Sequence, residues 1–269
     1  MIRVLVNGCF GRMGTEVVKA VNAQDDMKLV GGVDVRCEGR TALLDDAGAK
    51  IAPVFDDLAA AIEKLAPEVM VDFTHPSAVE GNLRIGLARG IDCVVGTTGL
   101  STEKLEELAA LAPEGTTLFV APNFTTGAVL MMQFAKIAAR YFPDCDIIEL
   151  HHDGKADAPS GTAVRTAEMV AAARDAASPA PGKETELAGY EGARGALVDG
   201  VYVHSVRNAG QVAHQEVIFG SAGQTLTIRH DSIDRSSYMP GVLLAIRKVG
   251  ARAGLIIGLE NFMEGLNDE

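Results

Sequence analysis

Tryptophan is absent from this 269-residue sequence, and aromatic residues make up only 5% of it. So few rings argue against a platform on which unpaired bases stack. Basic residues are in deficit. The 24 Lys and Arg face 36 Asp and Glu, a formal charge of −12. An acidic surface repels a polyphosphate backbone, so nucleic acid is not an expected partner. A local cluster of cations can still hold a small anion. Cysteine is scarce as well. Cys9, Cys37, Cys93 and Cys145 include no C-x-x-C pair, so they read as small buried residues or loop thiols, not as a disulfide frame or a zinc site. No apolar run approaches the roughly 18 residues of a membrane span. The opening apolar run is broken at Gly8, too early for a signal peptide. A cytoplasmic, soluble protein without membrane contact is expected. Hydrophobic residues reach 48%, enough for one large domain or two modest ones with proper cores.

The first half alternates two periodicities. Residues 2–6, 27–33, 68–73, 91–95 and 116–121 have the apolar runs of strands. Residues 12–23, 76–89 and 101–111 have helical patterns. Pro76 suits a first helical turn. Ser101 suits an N-cap, with Glu103 and Glu106 near the positive end. Strands alternating with helices imply a parallel sheet with right-handed crossovers. The second part differs. A long amphipathic helix over 126–142 precedes a strand at 146–150 and an Ala-rich helix over 162–177. Residues 178–184 read as an exposed loop, and Gly189, Gly192, Gly195 and Gly200 keep the next stretch loop-like. Three strand-like segments follow at 201–207, 214–219 and 224–230. Their short connections suggest antiparallel neighbours. In the last, Leu226, Ile228 and His230 share one face. A helix over 240–252 ends the pattern and is expected to pack back on the first domain.

The first strand runs into Gly8-Cys9-Phe10-Gly11-Arg12-Met13-Gly14. Glycine is needed where the chain turns sharply and where backbone N–H groups must touch a pyrophosphate. The helix that starts there offers its unpaired N–H groups and its dipole to the anion. The spacing G-x-x-G-x-x-G is one residue longer than the usual first gap. Asp34 follows Gly14 by 20 residues, where an acid accepts hydrogen bonds from ribose hydroxyls. Arg36 can pair with a 2′-phosphate. A plain tight turn and a solvated strand end are the alternatives. Loops at 72–74, 96–99 and 121–124 end other strands of the same layer, where an open parallel sheet lines its ligand crevice. The expected class is α/β: a Rossmann-like dinucleotide-binding domain of residues 1–122 plus 235–269, and a second α+β domain, 123–234, with a mixed sheet.

The densest polar stretch runs from Glu149 to Ala163. His151 and His152 end a strand, Lys155 follows, and Pro159-Ser160-Gly161-Thr162 opens a helix. Ser160 is placed to cap it. The amides around Gly161 and Thr162, with the Thr162 hydroxyl, can hold a carboxylate. Lys155 adds a charge and a transferable proton, and either histidine titrates near neutrality. The set suits a small dicarboxylate whose C=N bond accepts a hydride from a nicotinamide and a proton from Lys155 or a histidine. Buried satisfied histidines, metal ligation with Asp153 or Asp157, and a solvated loop lysine are the competing readings. Neighbouring residues on a strand face opposite ways, which disfavours a shared metal. Another two-domain dehydrogenase, or a nucleotide sensor without catalysis, would not need this middle segment.

That segment resembles the signature of the 4-hydroxy-tetrahydrodipicolinate reductases, also called dihydrodipicolinate reductases. The Gly loop, Gly96 to Gly99 and Ala121 to Phe124 match the family in order, and the likeness covers nearly the whole chain. It implies NADH- or NADPH-dependent reduction of 4-hydroxy-tetrahydrodipicolinate to tetrahydrodipicolinate, in the diaminopimelate route to lysine. It places Gly8, Gly11, Arg12, Met13 and Gly14 at the cofactor phosphates and Asp34 and Arg36 at the adenosine ribose. It puts Phe73, Thr74, Gly96, Thr98, Ala121, Asn123 and Phe124 near the nicotinamide half, and Arg235 near the cofactor end. His151 and Lys155 would be the catalytic proton-transfer groups. His152, Lys155, Gly161 and Thr162 would hold the substrate carboxylates, with no metal. The resemblance also implies a homotetramer built through the second domain. The segments 212–219 and 224–232 are similar to the branch that uses either cofactor. Where some members carry Glu-Arg after the second strand, this chain has Asp34-Val35-Arg36.

Overall fold

The computed structural model describes residues 1–37, 39–174 and 190–266. The chain forms two compact units: unit 1, Met1–Thr126 with Tyr238–Glu269, and unit 2, Gly127–Ser237. In chain order, unit 1 holds β1 (Ile2–Asn7), α1 (Arg12–Asn22), β2 (Met27–Val33), β3 (Ala42–Leu44), β4 (Lys50–Phe55), α2 (Leu58–Leu65), β5 (Val69–Asp72), α3 (Pro76–Leu87), β6 (Asp92–Val95), α4 (Thr102–Ala109) and β7 (Thr117–Val120). Helix α5 (Thr126–Ala138) opens unit 2. It is followed by β8 (Asp144–His151), α6 (Gly161–Ala173), β9 (Ala196–Val198), β10 (Val201–Arg207), β11 (Ala213–Ser221) and β12 (Gln224–Ser232). A short 3₁₀ turn, Arg235–Tyr238, leads to α7 (Met239–Val249) and β13 (Gly254–Ile257) of unit 1.

Unit 1 is an eight-stranded sheet in the order β13-β7-β6-β5-β1-β2-β4-β3. Every neighbouring pair is parallel except the β3–β4 edge. The central strands β1, β5 and β6 carry Val4, Leu5, Met70, Val71, Cys93 and Val94, all fully buried. Burial on both faces explains why these segments read as apolar runs without alternation. Ser101 caps α4 by accepting the Lys104 N–H at 3.3 Å, and Pro76 opens α3. In α7, Val242, Ala245, Ile246 and Val249 are buried, and the helix packs on α1, β6 and β7.

Four elements carried too little signal in the sequence. Strand β3 has three residues and forms the antiparallel edge. Strand β4 holds Pro53, which lacks a ladder donor and weakens a strand pattern. Helix α2 has eight residues, although Asp57, whose carboxylate accepts the Ala60 N–H at 2.7 Å, is an N-cap of the ordinary kind. Strand β13 has only four residues, beside β7.

Unit 2 is a five-stranded sheet in the order β12-β11-β8-β10-β9. The expectation that the three late strands pair antiparallel with one another holds only for β11 with β12. Strand β8 lies between β10 and β11, parallel to the first and antiparallel to the second. Residues 208–212 therefore arch over the carboxyl end of β8, where the Asn208 N–H donates to the His151 carbonyl at 3.1 Å. The cause is the length and burial of β8. Cys145, Ile147 and Glu149 on its inner face are buried, which places it inside the sheet, with a neighbour on each side.

The unit boundaries differ from the expected ones by a few residues. Asn123–Phe124 belong to unit 1, because the Phe124 ring sits 5.6 Å from that of Phe73 and 5.9 Å from that of Phe119. The chain returns to unit 1 at Tyr238, so Arg235 falls in unit 2. The expected extension of the Ala-rich helix to 177, the loop at 178–184 and Gly189 lie outside the described residues. No helix among the described residues is long and apolar enough to cross a membrane.

Candidate active site

In unit 1, strand order reverses direction around β1, with β5 on one side and β2 on the other. The loops leaving these three strands meet there. Gly8 has φ +80°, and its N–H donates to the Val33 carbonyl at 2.8 Å. A Cβ at Gly8 would lie 2.7 Å from the Phe73 carbonyl oxygen, and one at Gly14 2.0 Å from that of Gly8. Both glycines are therefore forced by close backbone approach. Gly11 takes the N-cap position of α1 and has no side chain to cap it, leaving first-turn N–H groups to an external anion. Arg12 is exposed and Met13 half-buried beside them. A turn packed so tightly against backbone that only glycine fits, at the uncapped start of a helix, fits a dinucleotide pyrophosphate.

Asp34 is buried. Its carboxylate accepts the Phe10 N–H and the Arg36 N–H, each at 3.0 Å. Each oxygen keeps a second lone pair, so the carboxylate remains able to accept ribose hydroxyls. Arg36 is exposed at the same turn. Gly96 is required by Phe73, whose ring would lie 2.0 Å from any Cβ there. Ala121 is buried, and its N–H bonds the Val95 carbonyl at 3.1 Å. Thr98 is exposed. The Asn123 side-chain oxygen accepts the Thr125 N–H at 2.8 Å.

The anchor of these loops escaped the sequence reading. The Asp72 carboxylate is fully buried and takes five donors: Asn7 and Asn82 amides at 2.9 Å, the Thr74 N–H at 3.1 Å, and the Thr74 and Thr97 hydroxyls at 2.7 and 2.8 Å. Its position at a strand end was visible. Its donors come from four separate segments, and no local spacing brings those together.

In unit 2 the polar stretch folds around Glu149. That carboxylate is fully buried. Arg207 grips it with two bonds, Nη1 to Oε2 at 2.9 Å and Nη2 to Oε1 at 2.7 Å. The Ser160 N–H donates to Oε1 at 3.1 Å, and His151 Nδ1 lies 2.5 Å from Oε2. Burial pushes the Glu149 carboxyl up, but Arg207, Ser205 and His151 outweigh it and hold it below the usual range. Burial lowers the His151 imidazole. Glu149 opposes that, while Lys155 and Arg207 add to it. The His151 imidazole is thus held toward its neutral form, with a charged partner behind it.

Lys155 Nζ contacts both Asp157 oxygens, at 2.7 and 2.9 Å. This neighbour lowers the Asp157 carboxyl. Arg207 Nη2 also donates to the Asp157 carbonyl at 2.7 Å, so one guanidinium ties the lysine-bearing loop to the sheet. Ser160 caps α6, its hydroxyl accepting the Ala163 N–H at 3.3 Å. Gly161 and Thr162 form the first helical turn. Two further expected site residues are exposed. His152 lies beyond the end of β8 and is exposed; its carbonyl, not its ring, serves the loop by accepting the Lys155 N–H at 3.1 Å. Arg235 is exposed in the 3₁₀ turn. Arg207, 58 residues from Glu149, was missed because only the β8–β10 pairing unites them. Among the described residues no group of three or more His, Cys, Asp or Glu is placed to hold a metal ion.

The chain matches two family models, "Dihydrodipicolinate reductase, N-terminus" over residues 2–124 and "Dihydrodipicolinate reductase, C-terminus" over residues 127–263. It is 46% identical over 271 residues to a 4-hydroxy-tetrahydrodipicolinate reductase of Desulfitobacterium hafniense, covering 98% of this chain and 99% of that one. It is 49% identical over 265 residues to the enzyme of that name from Mycolicibacterium vanbaalenii, with the same coverage. A solved structure, the dipicolinate-bound dihydrodipicolinate reductase of Paenisporosarcina sp. TG-14, superposes with a TM-score of 0.85 at 43% identity. The match covers 98% of this chain and 100% of that one. With both halves matched in order and the similarity running end to end, the chain belongs to the dihydrodipicolinate reductase family.

Proposed function

We propose that His151 and Lys155 are the proton-transfer groups of this reductase. The protein is an NADH- or NADPH-dependent oxidoreductase that reduces 4-hydroxy-tetrahydrodipicolinate in lysine and diaminopimelate synthesis. The bound nicotinamide supplies the hydride. The observation that carries the residue assignment is the buried Glu149–Arg207 pair, which holds His151 and, through the Asp157 carbonyl, the Lys155 loop beside the capped start of α6. The ammonium of Lys155 and the N–H groups of Gly161 and Thr162 provide donors for the carboxylates of a small di-acid. His152 borders the same loop.

Gly8, Gly11, Arg12, Met13 and Gly14 cradle the cofactor phosphates, Asp34 takes the ribose, and Phe73, Thr74, Gly96, Thr98, Ala121, Asn123 and Phe124 line the nicotinamide half. Arg235 serves the cofactor end. Unit 1, Met1–Thr126 with Tyr238–Glu269, binds dinucleotide, and unit 2, Gly127–Ser237, binds substrate and assembles the protein. Homotetramer assembly is supported by the outer strand β12, whose residues Gln224 to Thr227 are all exposed. A row of unpaired edge groups invites a second chain. The setting is the cytoplasm.

The test is a coupled assay in which pyruvate and aspartate semialdehyde generate the substrate and loss of NADH absorbance is followed. His151→Ala lowers kcat by about 10²-fold or more, whereas NADH titration is unchanged because the glycine cradle is in unit 1. Unaltered turnover would remove His151 from the chemistry.

Cofactor choice follows from Asp34 and Arg36. The buried carboxylate accepts ribose hydroxyls and repels a 2′-phosphate, while Arg36 attracts one. These opposing charges leave NADH and NADPH both effective, with kcat/KM differing by less than about two orders of magnitude, roughly 2.7 kcal/mol. A preference of many thousandfold would show that one of the two residues does not face the ribose.

A further inference from the structure

We propose that Glu149 is the positioning residue of His151: it accepts the Nδ1 proton, leaves Nε2 as the nitrogen that exchanges protons, and is itself fixed by Arg207. This rests on the reading of His151 as an acid–base group. The Glu149 carboxylate collects donors, the Ser205 hydroxyl among them. Oε1 of Glu149 faces the Ser160 N–H at 3.1 Å and Arg207 Nη2 at 2.7 Å. Oε2 faces Arg207 Nη1 at 2.9 Å and His151 Nδ1 at 2.5 Å. A backbone N–H and a guanidinium can only donate, and a carboxylate held by them is an acceptor at every lone pair. The remaining partner, Nδ1, must therefore donate too. That fixes the neutral ring with its proton on Nδ1 and a free Nε2.

A purely structural tie between β8 and β10 would need only the Arg207–Glu149 pair. The imidazole at 2.5 Å is an extra partner, and the strand register provides for it. His151 is opposite Arg207, and Glu149 is opposite Ser205 on one side and Gln215 on the other. Residues 149 and 151 of β8 point to the same face. The charged groups that bear on His151 are Glu149 behind it, Arg207 from β10 and Lys155 from the following loop. The β11 partner, Ala213, carries no charge. Glu149 alone stabilises the imidazolium, while Lys155 and Arg207 oppose it. The carboxylate is thus what keeps the ring basic enough to take a proton.

The test is Glu149→Gln. An amide offers one oxygen and one NH₂. Placed at Oε1, the NH₂ would confront two obligate donors; placed at Oε2, it confronts Arg207 Nη1 and the ring. The second placement is relieved if the imidazole moves its proton to Nε2 and lets Nδ1 accept. Nitrogen-15 NMR of histidine-labelled protein, without substrate, reads this directly. The parent shows His151 protonated on Nδ1, and E149Q shows it protonated on Nε2. Turnover falls at least about 10²-fold, within the range for a positioned acid–base group, and NADH affinity holds. In a serine-protease triad the equivalent exchange acts through the wrong tautomer. Glu149→Asp, which keeps the carboxylate, retains the Nδ1–H signal. A parent spectrum with the proton on Nε2 overturns the proposal, even if no variant folds. So does an E149Q protein that loses turnover with its tautomer unchanged. Unaltered activity in His151→Ala would instead sink the acid–base reading and leave the tautomer result standing.

Discussion

Lys155→Ala lowers turnover by about 10²- to 10⁴-fold, the usual contribution of a positioned proton donor. The variant loses an ammonium with three donors, of which Asp157 occupies one side through contacts at 2.7 and 2.9 Å. Removal also leaves the Asp157 carboxylate without its cation, so a dicarboxylate meets a like charge at the site. KM for the substrate therefore rises as kcat falls. Lys155→Arg separates the two effects. Arginine keeps the charge but does not release its proton, so it restores KM and leaves kcat low. NADH titration of both variants matches the parent. Steady-state kinetics of the two substitutions side by side is the measurement. Parent-like turnover in Lys155→Ala would reduce this residue to a loop charge.

Arg207→Met destabilises the protein by about 3–5 kcal/mol at neutral pH, because removing one member of a buried ion pair strands the other. Glu149 is the stranded group, fully buried. The pH dependence has a definite sign. With Arg207 present, the folded-state carboxyl lies below its ordinary value. The pair therefore stabilises the fold above the unfolded-state pKa, and that stabilisation is lost as pH falls through the lower folded-state value. In the variant, burial is opposed only by weaker partners and raises the carboxyl. The deficit is then greatest where Glu149 must be ionised, and it shrinks on acidification as the carboxyl takes up a proton. Urea midpoints for parent and variant across the range from neutral to mildly acid pH test this. Equal midpoints at pH 7 would mean that the pair contributes no net stability. A constant gap at every pH would show that Glu149 is not the group responsible.

How far the sequence disclosed these features depended on how local they are. The glycine cradle, the Ser160 cap and the His151–Lys155 spacing are each written within a few residues, because turns and helix starts depend on immediate neighbours. The parallel sheet of unit 1 was legible because doubly buried strands become apolar runs. What was not legible depended on pairing at a distance. Asp72 draws its donors from Asn7, Thr74, Asn82 and Thr97. Arg207 reaches Glu149 only because β10 lies beside β8. The insertion of β8 between β10 and β11 was itself missed, since a five-residue connection looks like a hairpin whether or not it steps over an intervening strand. His152, adjacent in sequence to His151, lies just past the end of β8 and is exposed, a difference that adjacency in sequence does not reveal.

The shared register of β8 and β10 also constrains how such a chain can change length over evolution. Side chains along a strand alternate with period two, so one residue inserted between Ile147 and His151 would reverse the facing of the imidazole or of its carboxylate. A one-residue deletion in β10 would turn Arg207 away from both. Single insertions and deletions between these paired positions therefore cost the site its geometry unless a bulge absorbs them. They can accumulate in the arch at 208–212, which is tied by the Asn208 N–H to the His151 carbonyl and by the Val212 N–H to the His214 ring but where length carries no parity.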